Sequence, residues 1–330
     1  VIMKKIINAP NAVVSEMLQG IEKANPKIIY YPGAEVIARK EKTDGKVGLV
    51  SGGGSGHEPA HAGYVGYGML DAAVAGNVFA SPSPDRILKG IEAADSGKGV
   101  LLIIKNYSGD IMNFNMAKEL AEMDGHVVET VVVKDDVAVP DSTYSTGRRG
   151  IAGTVFVHKV AGAKAAKGAS LTEVKAAAEK AIVNVRSMGT AMSSCIIPGV
   201  GKPGFELAEN EIEIGMGIHG EPGVERTTVK TAKNLAEILL KRILDDYKEK
   251  PEEVALMVNG LGATPQMELY ILNNEVHKLL EAQGIKVSRT YVGNFMTALE
   301  MAGCSLSLLK LDDELRELLD ERSDAPAFRV

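Results

Sequence analysis

Val47-Gly48-Leu49-Val50-Ser51-Gly52-Gly53-Gly54-Ser55-Gly56-His57-Glu58-Pro59 joins an apolar run to a glycine turn dense with polar side chains. Consecutive glycines cost backbone entropy on folding, so they belong where the chain turns with φ > 0 or where a ligand touches the main chain. Ser51, Ser55, His57 and Glu58 add donors, acceptors and a titratable ring beside that bare backbone. The stretch reads as a strand, a glycine turn, a polar cluster and then a helix from about Pro59. It is the expected ligand site.

Named glycine motifs do not fit it. A phosphate-cradling P-loop needs Lys-Ser/Thr after its last glycine, and His57-Glu58 stand there instead. The literal Gly-x-Gly-x-x-Gly match is Gly199 to Gly204, where Pro203 and the polar run after it oppose a helix start. His57-Glu58-Pro59-Ala60-His61 matches the zinc-protease pattern, which works when both histidines share one helix face. Pro59 is tolerated only in a first helical turn, which leaves His57 in the preceding loop. No metal site is expected, and His61 and His158 read as packing residues.

Outward from this stretch the pattern alternates. Strands are predicted at Ala72–Ala75, Val100–Ile104 and Val127–Val133, with helices opening at Ser83-Pro84 and at Asp110 or a neighbour. Residues 10–24 carry apolar side chains at helical spacing, through Val13, Met17, Leu18 and Ile21. Strands alternating with helices imply a mainly parallel sheet, whose ligands sit beyond the carboxyl ends of the strands. The exit of the 100–104 strand, Lys105 to Asp110, therefore shares a crevice with the glycine turn. Asp110 also suits a helix N-cap, and Lys105 a solvated loop.

Helices are expected at about 151–167 and 171–187, and a second unit from Met188. That unit holds predicted strands at Ser194–Ile197, Glu211–Ile218, Val254–Val258, Ile285–Val292 and Ser305–Leu311. Its helices fall at about 229–248 and from Thr264-Pro265 to Ala282. Along 211–219 the residues alternate, with Ile212, Ile214, Met216 and Ile218 on one face. His219 shares the other face with Gly215 and Gly217, which clear space beside its ring. The fold class is thus α/β, with two α/β domains at 1–187 and 188–330, each a mainly parallel or mixed sheet flanked by helices.

Composition sets the wider limits. The chain has 330 residues, 45% hydrophobic and 24% charged, a formal net charge of −6 and a pI near 5.7. That leaves no basic footprint for nucleic acid and little attraction to anionic membranes. Two cysteines, Cys195 and Cys304, form no metal cluster or disulfide framework, as expected for a reducing cytoplasm. No apolar run approaches the roughly 20 residues of a membrane span. Val1-Ile2-Met3 is too short for a signal peptide, with Met3 the expected start, and the tail from Ser323 to Val330 is expected to be loosely held.

SGGGSGHEP at 51–59, LLIIKNYSGD at 101–110, DDVAV at 135–139, GRRG at 147–150 and GIHGEPG at 217–223 resemble the substrate-binding (DhaK) subunits of dihydroxyacetone kinases. VNGLGATP at 258–265 and SLLKLDDE at 307–314 extend the resemblance over nearly the whole chain. It implies a two-domain α/β protein that holds dihydroxyacetone covalently, as a hemiaminal on His219. Gly54, Ser55, Gly56, His57, Lys105 and Asp110 match the family's other substrate contacts, with His57 and Asp110 as acid/base groups. Such a chain binds no cofactor itself. ADP and Mg²⁺ sit on a separate DhaL-type subunit, recharged from phosphoenolpyruvate through a DhaM-type phosphocarrier. ATP-dependent relatives are longer, so a chain ending near Val330 fits the form with a separate donor. The resemblance also implies a cytoplasmic homodimer. An alternative is a paralogue of the same fold that senses dihydroxyacetone and regulates transcription through a partner.

Overall fold

The computed structural model describes residues 4–140 and 146–330; Val1–Met3, with the expected start, lie outside them. The first half of the chain runs α1 (Val13–Ala24), β1 (Ile28–Tyr31), β2 (Val36–Arg39), β3 (Gly48–Ser55), β4 (Ala72–Val78), α2 (Pro84–Ala94), β5 (Val100–Lys105), α3 (Ser108–Met123), β6 (Val128–Val133), α4 (Thr154–Ala166) and α5 (Leu171–Asn184). The second half runs β7 (Val185–Ala191), β8 (Glu211–Ile214), β9 (Glu225–Thr228), α6 (Ala232–Asp245), β10 (Glu253–Gly260), α7 (Gln266–Ala282), β11 (Lys286–Gly293), β12 (Gly303–Lys310), α8 (Asp313–Asp320), β13 (Asp324–Ala325) and β14 (Phe328–Arg329).

The first sheet has the order β1-β2-β4-β3-β5-β6. Its β4-β3-β5-β6 core is parallel, and the β1-β2 hairpin adds antiparallel strands at the β4 edge. The second sheet, β11-β10-β12-β7-β8-β9, is mixed: only β10 and β11 run parallel. Both sheets are buried on two faces, and strand parity sorts their side chains. Val100, Leu102 and Ile104 pack with Ile87, Ile91 and Phe114 under α2 and α3. Leu101 and Ile103 face the other way, into a core that also takes Val155, Ala178, Met257 and Leu309. Across the second sheet, Leu256 and Leu306 meet Leu239 and Val276 of α6 and α7. The result is a stack of helix, sheet, helix, sheet and helix layers, with α4 and α5 in the middle.

Several local expectations change. No α-helix forms from Pro59; residues 57–61 turn, and a single 3₁₀ turn covers Ala62–Tyr64. The backbone there is engaged elsewhere, because Thr297 N–H donates to His57 O, Leu299 N–H to Gly56 O, and the Thr297 hydroxyl to Glu58 O. The helix expected to reach 187 stops at Asn184, since Val185 opens β7 beside β12. Ser194–Ile197 is no strand, retaining one isolated bridge from Ile196 to Pro203. The 211–218 alternation breaks at Gly215, whose φ of 79° ends β8 at Ile214. Thr264 does not cap α7: its hydroxyl donates to Gly303 O and accepts from Gly303 N–H. The C-terminal tail is held, as the β13–β14 pair buries Ala325 and Phe328.

Candidate functional site

β3 and β5 are parallel neighbours, so their carboxyl ends deliver the glycine turn and Lys105 to one place. The turn is pressed against the chain that leaves β4. A Cβ on Gly54 would lie 2.6 Å from Ala80 N, and one on Gly56, with φ 106°, 2.7 Å from the Phe79 ring. Those glycines therefore serve close backbone packing as well as ligand access. The 297–299 segment, which joins β11 to β12, closes over the turn from the other sheet. The β8–β9 connection brings His219 to the same spot.

Two imidazoles meet there. His57 Nε2 and His219 Nε2 are 3.0 Å apart, with the rings edge to face at 4.7 Å between centroids. His57 Nδ1 lies 2.7 Å from Thr297 O, and His219 Nδ1 2.9 Å from Glu221 Oε1. A carbonyl and a carboxylate only accept, so both Nδ1 atoms carry hydrogen and each ring turns its Nε2 to the other. Two bare lone pairs at 3.0 Å repel; one shared proton makes the contact attractive.

The two rings sit in different surroundings. His57 is fully buried and stacked on Phe79. Desolvation first, then the charge of Lys105, holds its pKa well below the ordinary histidine value. The His219 side chain keeps 18% exposure and has the Glu221 carboxylate beside it. Burial alone would raise the Glu221 pKa, but hydrogen bonds from the His219 ring and backbone N–H bring it down to about 2.

Asp110 lines the cavity and Lys105 is buried outside its lining, next to the glycine turn. Lys105 is wholly buried with no hydrogen-bond partner for Nζ among the described residues, and desolvation lowers its pKa. Its ammonium lies 5.3 Å from the Tyr107 ring centroid. Asp110 is not an N-cap: it sits in the first turn of α3, buried, and accepts the Ser81 hydroxyl on Oδ1. A Cβ on Gly53 would lie 3.2 Å from Lys105 Nζ and 3.5 Å from Asp110 Oδ2, so both groups converge on the bare face of the turn.

Gly54, Asp110 and His219 line one cavity of about 380 Å³, together with Phe79, Ser81, Tyr107, Arg149 and Glu221. His57 reaches it through the His219 contact. Ser55 turns its hydroxyl to Gly76 O, and Ser55 and Gly56 line a separate hollow against α1. Within the old zinc-like pattern, His57 faces Thr297 and His219, while His61 Nδ1 lies 3.0 Å from His158 Nε2 in the core. Among the described residues no group of three or more His, Cys, Asp or Glu side chains could hold a metal ion.

Sequence reasoning passed over Glu221, Phe79, Ser81, Tyr107, Arg149 and Thr297. Glu221 alone had a local signal, two residues beyond His219 in the same glycine-bounded turn. Thr297 acts through its carbonyl, which no side-chain pattern reveals.

A partly exposed imidazole on the wall of a polar cavity, with a second imidazole, a buried lysine and a carboxylate around it, thus sits on a two-sheet α/β scaffold. The Dak1 domain matches residues 19–327, and the chain belongs to that family. It is 57% identical over 314 residues to the dihydroxyacetone-binding subunit DhaK of the PTS-dependent dihydroxyacetone kinase 1 of Listeria innocua, covering 94% of this chain and 95% of that one. Among solved structures it resembles the dihydroxyacetone kinase of C. freundii with AMP-PNP and Mg²⁺ (TM-score 0.92, 34% identity, 99% of this chain and 61% of that one). It also resembles the dihydroxyacetone kinase operon co-activator Dha-DhaQ (TM-score 0.90, 38% identity, 94% and 97% covered). No helix among the described residues is long and apolar enough to cross a membrane.

Proposed function

We propose that this chain is the dihydroxyacetone-binding subunit of a phosphoenolpyruvate-dependent dihydroxyacetone kinase, working in the cytoplasm as a homodimer. The observation that carries the reading is the 3.0 Å contact between His57 Nε2 and His219 Nε2 at the cavity wall. Dihydroxyacetone entering the cavity separates the rings, and the shared proton passes to His57 Nε2. His219 Nε2 then attacks the ketone carbon, forming the N–C bond and breaking the C=O π bond. The alkoxide takes the proton from His57, leaving a carbinol on an imidazolium beside the Glu221 carboxylate. Charge and protons balance with no exchange with solvent. An imidazole adduct has no further N–H at the bonded nitrogen, so it cannot dehydrate to a neutral imine. Glycerol, lacking an electrophilic carbon, is excluded.

The tether fixes the terminal hydroxyl, which provides the orientation share of the rate. Asp110 Oδ2 accepts the hydroxyl proton as oxygen attacks phosphorus, and the unpaired Lys105 ammonium donates to the same substrate. A DhaL-type subunit would hold the phosphoryl donor and Mg²⁺, be left with ADP after transfer, and be recharged from phosphoenolpyruvate through a DhaM-type phosphocarrier. This chain supplies neither nucleotide nor metal.

The likeness to the co-activator supports a second reading, a dihydroxyacetone sensor. Reconstitution separates them: this chain, an ADP-loaded DhaL-type subunit and the phosphoenolpyruvate relay, each omitted in turn. Dihydroxyacetone phosphate that requires every component and disappears with His219→Ala establishes the kinase subunit. Dihydroxyacetone bound on His219 without product establishes the sensor.

A further inference from the structure

Glu221 stands two residues after His219 and folds back over its own turn. One carboxylate oxygen accepts the His219 ring Nδ1–H at 2.9 Å, and the other accepts the His219 backbone N–H, also at 2.9 Å. The turn is built for this. Gly217 N–H donates to Glu221 O, Gly220 N–H donates to Gly217 O, and Gly220 has φ 77°. A Cβ on Gly217 would lie 2.1 Å from Glu221 Oε2 and 2.7 Å from Arg149 Nη1. Gly217 is therefore bare because the carboxylate occupies that space, not to clear room for substrate. Arg149 anchors the segment: its Nη2 donates to Gly215 O at 2.7 Å and lies 2.7 Å from Asp136 Oδ2, to which its Nε donates at 2.8 Å.

We infer that Glu221 is the positioning residue of the tethering reaction: it locks His219 in the tautomer whose Nε2 is nucleophilic and balances the charge of the alkylated ring. This deepens the dihydroxyacetone-binding reading and rests on it for the second half. A neutral histidine carries one N–H, and which nitrogen holds it follows from the partner of the other. With a two-oxygen acceptor at Nδ1, Nε2 is left for bond formation. As the N–C bond forms at Nε2 the ring still carries its Nδ1 hydrogen and becomes cationic, and Glu221 is the anion in contact with it.

Glu221→Gln tests this, because an amide offers one oxygen to two donors. If that oxygen takes the backbone N–H, the amide NH₂ faces Nδ1 and drives hydrogen to Nε2. Nitrogen-15 NMR of ligand-free protein labelled at histidine reads the tautomer, and intact mass after incubation with dihydroxyacetone reads the adduct. In the wild type His219 Nδ1 is the protonated nitrogen. In Glu221→Gln its resonance moves to the lone-pair position and adduct formation falls about 10²-fold or more, the direction expected of a misplaced histidine proton. Glu221→Asp, which keeps the charge, recovers part of the adduct and the wild-type tautomer. Unchanged Nδ1 protonation with unchanged adduct in a folded Glu221→Gln protein overturns the proposal. Should Gln fail to fold, a Glu221→Asp protein whose Nδ1 is deprotonated overturns it as well. If the wild type forms no adduct, the dihydroxyacetone reading and the charge-balancing half fail together. The tautomer comparison still decides the positioning half.

Discussion

His57 and His219 come from different sheets, 162 residues apart, and face each other through Nε2 atoms 3.0 Å apart. Each has its Nδ1 hydrogen committed elsewhere, His57 to a carbonyl and His219 to a carboxylate. In the proposed reaction the pair shares one proton, which goes to the new alkoxide once a ketone separates the rings.

Replacing His57 by Asn removes the group that protonates the new alkoxide while leaving His219 and Glu221 in place. Tether formation is expected to slow by about 10²–10⁴-fold, the usual range for a positioned acid/base group. Time-resolved intact mass with dihydroxyacetone measures it. An unchanged rate would remove His57 from the reaction.

Gly54→Ala places a methyl group 2.6 Å from Ala80 N and 2.8 Å from the Phe79 backbone. Backbone cannot swing aside as a side chain can. The variant is expected to lose about 1–3 kcal/mol, typical of overpacking, and to shift Phe79 away from the His57 ring. Urea unfolding reports the first effect and adduct yield the second.

The buried histidines make the fold acid-labile. Desolvation, reinforced by Lys105, lowers the pKa of His57, His61 and His158, the last to about 3. Below the ordinary value of 6.5 the unfolded chain binds protons that the folded chain refuses. Stability is therefore full above that pH and declines as pH falls toward the folded values, by up to about 1.4 kcal/mol per pH unit for each histidine. Urea midpoints across pH 7.5 to 4.5 should fall, and His158→Gln should flatten the slope by one histidine's share. A pH-independent midpoint would contradict it.

Asp246 accepts Arg148 on both oxygens and Arg186 Nε on Oδ2, tying the 146–150 connection to α6 and β7. Asp246→Ala leaves two guanidinium groups facing each other. A loss of about 1–3 kcal/mol is expected, smaller at high salt because screening weakens the repulsion. Denaturation at two ionic strengths checks both sign and salt dependence.

Much of this was written locally. The run from Val47 into the glycine turn, and Val100–Lys105 into Asp110, carry their own strand and turn signals because hydrophobic period and glycine placement act over a few residues. Helix starts near Ser83-Pro84 and the break at Gly215 differ in kind. The first follows from residue type, while the second needed a positive φ that the alternating pattern concealed. Pro59 misled because its neighbours' carbonyls are claimed by Thr297 and Leu299, far along the chain. β1 and β2 gave weak signals because strands of four residues leave little room for periodicity.

The amino-acid sequence by itself determined the α/β class, the glycine turn and the identity of the polar groups His57, Lys105, Asp110 and His219. Those are properties of short windows and residue chemistry. Only the tertiary structure decided that His57 and His219 touch, that Lys105 Nζ finds no hydrogen-bond partner among the described residues, and that the 217 glycine makes room for Glu221. Such facts depend on contacts between distant segments and on which atoms water no longer reaches. No local pattern encodes a carbonyl such as Thr297 O arriving from the other sheet to fix a proton.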